Sequence, residues 1–282
     1  METRTQNPIQ ETQNIRLPNI PKRNSGSEDS STLSECPECK GTGWILKTDA
    51  DGTEVAYPCK CYNKRILNNK IKFANIPDAF KDIRLTSFRG DYYKDRKTIN
   101  EINKVITYYL DNLDEMKAEG IGLYLYSDTK GSGKTRMATS LANELIYEHD
   151  MSVRFATSMD IISEIKASWD GMSEVENEAK LIRYLTSVEV LVIDDFGIEK
   201  RDSKQNWIDD RFYQIINQRY LDRLITIYTS NYPLDKLMYD ERIKNRVMER
   251  VYQLHFPEES IREGIATARQ MKMEKSLKGD EE

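Results

Sequence analysis

Residues 121–135 read Ile-Gly-Leu-Tyr-Leu-Tyr-Ser-Asp-Thr-Lys-Gly-Ser-Gly-Lys-Thr, an apolar run that breaks into a glycine-containing loop before a helical pattern. Strand, loop and helix in this order predict a phosphate-binding loop, because the loop N–H groups and the positive end of the helix suit a polyphosphate. Lys134 is expected to reach the β- and γ-phosphates of ATP, and Thr135 to bind Mg²⁺. The loop residues predicted to contact the nucleotide are Ser127, Asp128, Thr129, Lys130, Gly131, Ser132, Gly133, Lys134, Thr135 and Arg136.

The loop departs from the pattern G-x-x-x-x-G-K-[ST] at its first position, where Asp128 stands in place of glycine. Aspartate tolerates the left-handed backbone better than most residues, and its side chain can accept hydrogen bonds from nearby N–H groups. A carboxylate this close to phosphates repels them unless it points away. Our hypothesis is a weak intrinsic nucleotide affinity that assembly strengthens.

Strand and helix patterns alternate through the second half of the chain, which predicts an α/β fold with a mostly parallel sheet covered by helices on both faces. An amphipathic helix over 95–118, ended by Gly120, precedes the loop strand. The later strands are predicted at 153–157, 188–193, 224–229 and 251–256, and the later helices at 134–148, around Ile161–Ile165, 177–186, 204–221 and 240–250.

Two acidic residues, Asp194 and Asp195, follow the apolar strand that starts at Val188. Because parallel strands carry ligand-binding groups at their C-terminal ends, Asp194 is expected to hold Mg²⁺ and Asp195 to polarise the water that attacks the γ-phosphate. The next predicted strand, 224–229, leads into Asn231, whose amide is expected to orient that water or to contact the γ-phosphate. With Lys134 these residues form the predicted catalytic set. Acids that cap a loop and an asparagine in a turn are the alternatives for each residue taken alone.

The four cysteines follow the spacing C-x2-C, nineteen residues, C-x-C. In a reducing compartment this grouping favours a metal over disulfides. Glycines after Cys39 let backbone N–H groups approach the sulfurs, and a hairpin that turns at Asp51-Gly52 brings the second pair back. Cys36, Cys39, Cys59 and Cys61 are therefore predicted to close a tetrahedral structural zinc site. Thiols without metal and a three-ligand site are the alternatives.

The composition indicates a soluble protein with a highly charged surface, since 38% of the 282 residues are hydrophobic, 32% are charged and the net charge is −5. This charge excludes polyanion binding by the molecule as a whole and leaves local patches. One such patch is 60–73, where five basic residues interleave with Tyr62 and Phe73, so that a nucleic-acid contact and a solvated helix both fit. The sequence has no apolar stretch of bilayer length and no signal-peptide core, so we expect a cytoplasmic location and no membrane contact.

Several motifs together resemble AAA+ replicative helicase loaders of the DnaC/DnaI type, and phage-encoded members in particular. These motifs are the phosphate-binding loop, Ile193-Asp-Asp-Phe-Gly197 with Glu199-Lys200, Tyr213–Tyr220, Thr229-Ser-Asn231, and Cys36-Pro-Glu-Cys39 with Gly41-Thr-Gly43. The resemblance covers about residues 35–265 and implies a three-layer αβα P-loop domain around a five-stranded sheet, preceded by a small zinc-binding module. It further implies an ATPase that uses ATP, Mg²⁺ and Zn²⁺ and loads a hexameric, ring-shaped replicative helicase onto single-stranded DNA.

Two further residue roles come from the resemblance alone. Arg250 is similar to the family's arginine finger, which acts on the nucleotide of a neighbouring subunit, and we therefore expect a homo-oligomer. Arg262 is similar to the sensor-2 arginine, which contacts the nucleotide of its own subunit. Surface arginines on charged helices are the alternative for both. Little chain follows Phe256, so the family's helical lid domain is short or missing.

Two other functions remain as alternatives. A transposition-regulator ATPase of the related IstB type also binds DNA, but that group usually lacks a zinc module. A zinc adaptor of the DnaJ type would explain Cys36–Gly43, but it would leave an intact ATPase core without a role.

The resulting organisation has five parts. The polar leader, residues 1–34, is either a flexible segment or an arm that becomes ordered when it binds a partner. Scattered aromatic residues over 76–93 predict a segment that lies across the ATPase domain. The parts are a disordered leader (1–34), the zinc module (35–65), a linker with the amphipathic helix (66–118), the AAA+ ATPase domain (119–265) and a charged tail (266–282).

Overall fold

The computed structural model of the protein describes residues 36–49, 51–88, 90–169, 174–198 and 206–278. The chain divides into two compact units, Met1–Cys59 and Lys60–Glu282. The predicted leader, Glu199-Lys200 and the last four residues of the predicted tail lie outside the described residues.

The first unit contains a β-hairpin formed by β1 (Trp44–Thr48) and β2 (Glu54–Pro58). The two strands are antiparallel, with Trp44 opposite Pro58 and Thr48 opposite Glu54. Gly52 adopts a left-handed φ of 84° in the turn, a conformation that glycine takes without a steric penalty. The hairpin predicted between the two cysteine pairs is confirmed.

The second unit alternates helices and strands as the sequence predicts. In chain order they are α1 (Tyr62–Ala74), α2 (Arg96–Asp111), α3 (Leu113–Glu119), β3 (Gly122–Tyr126), α4 (Lys134–Tyr147), β4 (Val153–Thr157), α5 (Ser158–Ser168), α6 (Glu174–Ser187), β5 (Val190–Asp194), α7 (Asn206–Leu221), β6 (Ile225–Ser230), α8 (Glu241–Met248), β7 (Val251–His255) and α9 (Ile261–Lys278). Short 3-10 turns occur at Asp78–Phe80, Leu85–Ser87, Gly90–Tyr92 and Leu234–Lys236.

Strands β3 to β7 form one sheet in the order β4-β5-β6-β3-β7, and every strand pair is parallel. All five residues of β5 and all six of β6 are buried, as expected for central parallel strands covered on both faces. One core layer joins the sheet to α2 and α4, and the other joins it to α5, α6, α7 and α8. The order places the C-terminal end of β3 beside that of β6, with β5 next, and this edge is where the predicted site residues lie.

The predicted helix over 95–118 is wrong in one respect, because it is two helices. Asn112 interrupts it with φ −114° and ψ 29° between α2 and α3. Its side-chain amide donates to the carbonyl of Tyr108, one turn earlier. The apolar period continues on both sides, since Tyr109, Leu113 and Met116 are all buried, so hydrophobic spacing alone does not reveal the break.

Arg219 on α7 is a buried cation, with 1% of its surface exposed. Its guanidinium donates to the carbonyls of Leu185, Val188 and Ile225 at 2.6–2.9 Å and to Oγ1 of Thr226 at 3.0 Å. Desolvation lowers its pKa to about 10, so it stays charged at neutral pH. Arg219 thus satisfies backbone carbonyls at the ends of α6 and β6 that burial would otherwise leave unpaired.

Helix α1 lies at the β4 edge of the sheet. It packs against β4 and α4, and Lys70 forms an ion pair with Asp150 in the loop before β4, at 2.7 Å. The carbonyl of Phe73, near its C-terminus, accepts a hydrogen bond from Tyr184 of α6, which belongs to the core layer on the other face. Helix α1 therefore passes around the edge of the sheet.

After β7 the chain forms α9, which extends to Lys278. Most of the charged tail predicted for residues 266–282 is therefore helical. Within the described ranges, the structure contains no helix that is both long and apolar enough to cross a membrane.

Candidate nucleotide and metal sites

A cavity of about 910 Å³ opens at the C-terminal ends of β3, β5 and β6. Its lining brings together the phosphate-binding loop, the second acid after β5, the residue after β6 and the start of α9. The predicted site residues that line it are Asp128, Lys130, Gly131, Ser132, Gly133, Lys134, Thr135, Arg136, Asp195, Asn231 and Arg262. These residues come from distant positions in the chain, and the parallel sheet delivers them to one edge.

The loop itself uses two glycines in left-handed conformations, Gly131 with φ 81° and Gly133 with φ 96°. At Gly133 a side chain would collide with the hydroxyl of Tyr93. Asp128 is not among the left-handed residues of the described chain. The conformational freedom of glycine is therefore not required at the first loop position, and the left-handed backbone that we considered for Asp128 does not occur.

Lys134 is the first residue of α4 and is 5% exposed. Its Nζ donates to the carbonyls of Ser127 and Thr129, both at 3.1 Å, and to Oγ of Ser132 at 3.2 Å. Desolvation lowers the pKa of this ammonium, against the attraction of Asp195 and other nearby carboxylates. The cation lies inside its own loop, where a bound polyphosphate would offer it charged acceptors instead of neutral ones.

Asp194 ends β5, and one of its oxygens accepts two hydroxyl hydrogen bonds. Thr135 of the loop donates at 2.8 Å and Thr229 of β6 donates at 2.5 Å, both to Oδ1. Burial raises the pKa of Asp194, against the lowering effect of the Thr229 hydrogen bond. A hydroxyl and a carboxylate in contact are oxygen ligands of the kind that Mg²⁺ takes beside a nucleotide, so these residues fit the ion.

Asp195 has a left-handed backbone, with φ 55°. Its N–H donates to Oγ1 of Thr229 at 3.0 Å, and its carbonyl accepts from Oγ of Ser158 at 2.9 Å. These contacts hold the residue in a conformation that non-glycine residues seldom adopt, as is common at functional sites. The side chain borders the cavity together with Asn231.

Thr229 belongs to the motif Thr229-Ser-Asn231, in which only Asn231 has a predicted role. Its signal is a hydroxyl near the end of a buried strand, two residues before Asn231. Thr229 is the residue of β6 that contacts the carboxylate of Asp194. Asn231 lies farther along, on the cavity wall.

Glu258 is a site residue that no sequence motif indicates. Its carboxylate accepts hydrogen bonds from the N–H groups of Asp128 at 3.0 Å and Thr129 at 2.8 Å, and from Oγ of Ser127 at 3.0 Å. The ring Nε2 of His255 lies 2.7 Å from its Oε1. Burial opposes ionisation, but the hydrogen bonds outweigh it and lower the pKa of Glu258 to about 2.

Tyr93 is a second residue that we did not assign. It is 2% exposed, and its hydroxyl donates to the carbonyl of Ser132 at 2.7 Å. The carbonyls of Phe80 and Ile83 accept from Asn143 of α4 at 2.9 and 2.8 Å. The segment before α2 therefore lies across the loop and its helix, as predicted from its scattered aromatic residues.

Arg250, the predicted arginine finger, lies outside the lining of the nucleotide cavity, and so does Arg246 on α8. Arg246 and Arg250 stand 4.3 and 4.8 Å from the ring centre of Tyr220 on α7, within the range of cation–π attraction. Arg250 also donates to the carbonyl of Glu119 at 2.6 Å, before β3 begins. Because the loop follows the other end of β3, Arg250 is remote from the nucleotide cavity of its own chain, which is compatible with the predicted action on a neighbour.

The four cysteines come together around the end of the hairpin. Their sulfur atoms all lie within 4.8 Å of one another, and those of Cys36 and Cys59 are 3.7 Å apart. A tetrahedral zinc site with Zn–S bonds of about 2.3 Å has S–S edges of about 3.8 Å. The N–H of Gly43 donates to Sγ of Cys39 at 3.3 Å, the kind of contact that stabilises a thiolate. The donor set and its geometry therefore fit zinc.

Comparison with known proteins gives the family. The family described as IstB-like ATP binding protein matches residues 60–262. The phage-like element PBSX protein XkdC of Bacillus subtilis (strain 168) is 25% identical over 227 residues, which cover 79% of this chain and 82% of XkdC. The replicative helicase loader DnaC of Buchnera aphidicola subsp. Schizaphis graminum is 31% identical over 134 residues, 47% of this chain and 50% of DnaC.

A solved structure described as DnaI supports the same relationship. It superposes with a TM-score of 0.50 at 26% identity and covers 65% of this chain and 95% of its own. Together with the strand order, this similarity confirms the predicted AAA+ fold and the predicted resemblance to helicase loaders.

Proposed function

Because this chain belongs to the IstB-like ATP-binding protein family, we propose that it hydrolyses ATP to ADP and phosphate and uses this cycle to load a ring-shaped replicative helicase onto single-stranded DNA. The observation that carries the ATPase part is the 2.8 Å hydrogen bond from Thr135 to Asp194, which joins the end of the phosphate-binding loop to the end of β5. These two residues would hold Mg²⁺, which when bound neutralises charge on the phosphates.

The chain's own residues have distinct parts in the proposed reaction. The loop N–H groups and Lys134 bind and orient the phosphates, and Arg262 contacts them from the start of α9. Asp195 accepts a proton from the attacking water, and Asn231 orients that water. Arg250 completes the site of a neighbouring copy, so that hydrolysis depends on assembly.

The helicase-loading part rests on relatives. DnaC of Buchnera is named as a replicative helicase loader, although this chain matches only 50% of its length. The zinc module and the basic residues of α1 are proposed to engage the hexameric helicase, and the ATPase domain to oligomerise and to grip single-stranded DNA. For the basic residues, a direct contact with DNA is the alternative.

A first experiment tests the ATPase. Purified protein should turn over ATP only with Mg²⁺, and Lys134→Ala should lower turnover by about 10²-fold or more while the thermal unfolding midpoint stays within a few degrees. Equal turnover by wild type and Lys134→Ala would remove the assignment of the loop.

A second experiment separates helicase loading from transposition control, the alternative that the resemblance to IstB-type proteins leaves open. Immobilised protein is incubated with ATP and either a replicative helicase or a transposase, with and without single-stranded DNA. Retention of the helicase supports our proposal. Retention of the transposase alone would favour the IstB type, against which the cysteine cluster argues.

Asp128 bears on the nucleotide affinity. Its side chain is exposed and borders the cavity, so we keep the hypothesis that the intrinsic affinity is weak and that assembly raises it. Asp128→Gly should tighten ATP binding by about tenfold, because it removes one unit of negative charge near the phosphates. An unchanged dissociation constant would show that the substitution is neutral.

A further inference from the structure

The carboxylate of Glu258 joins two parts of the cavity that are far apart in sequence. Its two oxygens accept from the consecutive N–H groups of Asp128 and Thr129, at 3.0 and 2.8 Å, at the opening of the phosphate-binding loop. Glu258 itself lies four residues before Arg262, at the entry to α9. A charged acceptor of this kind makes stronger hydrogen bonds than a neutral one, and two of them fix both distance and orientation.

A second contact fastens the same segment to the middle of the loop. The N–H of Ile261 donates to the carbonyl of Gly131 at 3.1 Å. At Gly131 a Cβ atom would lie 2.9 Å from Oγ of Ser260 and 3.0 Å from Cδ of Arg262, so the segment lies directly on the loop backbone. Arg262 and the loop are therefore held in one arrangement by two contacts. The carboxylate of Glu258 binds the start of the loop, and the backbone of Ile261 binds its middle.

We propose that Glu258 is a positioning residue for nucleotide binding, which fixes the opening turn of the loop against the segment that carries Arg262. This inference rests on the proposed binding of ATP in the cavity. Its physical basis is preorganisation: a loop and an arginine already in place do not have to be ordered when the nucleotide binds.

A different role for the same carboxylate predicts the opposite result. If Glu258 competed with the nucleotide phosphates for loop N–H groups, its neutralisation would tighten nucleotide binding. The geometry favours positioning, because the N–H groups that Glu258 occupies belong to the first two loop residues, whereas Lys134 and Thr135 lie at the other end of the loop. The sign of the affinity change therefore separates the two roles.

The test is a titration of the full chain with a fluorescent ATP analogue and Mg²⁺. Glu258→Gln keeps the shape of the side chain but replaces one acceptor oxygen by the NH2 of an amide. This NH2 is a donor and would face a backbone N–H, which is also a donor. We expect a dissociation constant about tenfold higher than that of wild type. Glu189→Gln is the matched control, because Glu189 also accepts from a backbone N–H and a hydroxyl, those of Ser152, at the opposite end of the sheet. This control should leave the affinity unchanged.

A double-mutant cycle with Arg262→Ala tests whether Glu258 acts through the arginine. Non-additive effects of Glu258→Gln and Arg262→Ala are expected, because either change alone removes the aligned arginine. Additive effects, an unchanged affinity or a tighter affinity for Glu258→Gln would each overturn the inference. Failure of the wild type to bind the analogue would instead count against the proposed function.

Loss of folding is controlled by thermal unfolding of each variant before the titration. If Glu258→Gln does not fold, Glu258→Asp replaces it, because the shorter side chain keeps the charge but does not span both N–H groups. An affinity of Glu258→Asp equal to that of wild type would then contradict the inference, and a weaker one would support it.

Discussion

Thr229 and Asp194 lie on neighbouring strands, and the hydroxyl of Thr229 donates to Oδ1 of Asp194 at 2.5 Å. The same hydroxyl accepts the N–H of Asp195 at 3.0 Å. One side chain of β6 therefore fixes both acids that follow β5. The arrangement holds a carboxylate in a buried place where its charge is costly, and a cation is what would offset that cost.

Asp194→Asn should make the protein more stable but inactive. The amide oxygen still accepts from Thr135 and Thr229, and the buried negative charge is gone, so the unfolding midpoint at neutral pH without Mg²⁺ should rise by about 3 °C. ATP turnover should fall by about 10²-fold or more, because the proposed Mg²⁺ ligand is lost. Differential scanning calorimetry measures the unfolding midpoint, and a phosphate-release assay measures ATP turnover. A midpoint below that of wild type would contradict the claim that the buried charge of Asp194 destabilises the fold.

Asp195→Asn should bind ATP with little change but hydrolyse it about 10²-fold more slowly, because the amide cannot accept the proton of the attacking water. Asparagine also tolerates the left-handed backbone found at this position, so the fold should be unaffected. Asp195→Ala is the comparison, since it adds backbone strain to the same chemical loss. Single-turnover hydrolysis gives the rate constant, and binding of an ATP analogue gives the affinity. Full activity of Asp195→Asn would eliminate the general-base role.

Arg250→Ala should lower ATP turnover by about 10³-fold if the arginine completes a neighbouring site. Mixed with Lys134→Ala protein, it should regain part of the activity, because interfaces then form that pair an intact loop with an intact arginine. Lys244→Ala, six residues earlier on α8 and with its ammonium paired to Glu241, serves as the control and should behave as wild type. The absence of any rescue at every mixing ratio would exclude action in trans.

Zinc should be present at about one ion per chain in protein purified without chelator, as elemental analysis can establish. Cys59→Ser should lower this content, because Cys59 is buried within the cluster of four sulfurs. The hairpin is too short to fold without the ion, so its amide protons should lose protection from exchange while those of the parallel sheet keep theirs. A metal content near zero in the wild type would remove the site.

The hydrogen bonds to Glu258 should make its contribution to stability depend on pH. Its pKa is about 2 in the folded chain and 4.5 without the fold, so the stabilisation is complete above pH 4.5 and is lost as the pH falls towards 2. The difference in unfolding free energy between wild type and Glu258→Gln should therefore be constant near neutral pH and shrink in acid. The side chain is 41% exposed, and solvent keeps the effect small. Chemical denaturation from pH 7 to pH 3 measures it.

The sequence was sufficient to predict those elements of the fold that a local residue pattern determines. The strand Val190–Asp194 is buried throughout and apolar up to Ile193, and the loop through Lys134 follows its strand as predicted. Strand and helix ends differ from prediction by a few residues, because caps and first turns depend on single hydrogen bonds. Asn112 shows the limit, since its break lies inside a hydrophobic period that continues without interruption.

The contacts that complete the candidate site were beyond prediction because they join distant parts of the chain. Glu258 meets Asp128 across 130 residues, and Tyr93 meets Ser132 across 39. A glutamate beside a second glutamate and a tyrosine in an irregular segment carry no local signature of such partners. Only the fold, which brings the entry to α9 beside the end of β3, gives them a role.

The passage of α1 around β4 has a consequence for how the protein can be shortened. An uncovered outer strand presents unpaired N–H and carbonyl groups that recruit strands from other molecules. Helix α1, held by Lys70 and by Tyr184, protects this side of the sheet from such recruitment. Truncated chains that begin at residue 75 and lack α1 would therefore form intermolecular aggregates more readily than truncated chains that begin at residue 60. Both keep every residue that lines the nucleotide cavity.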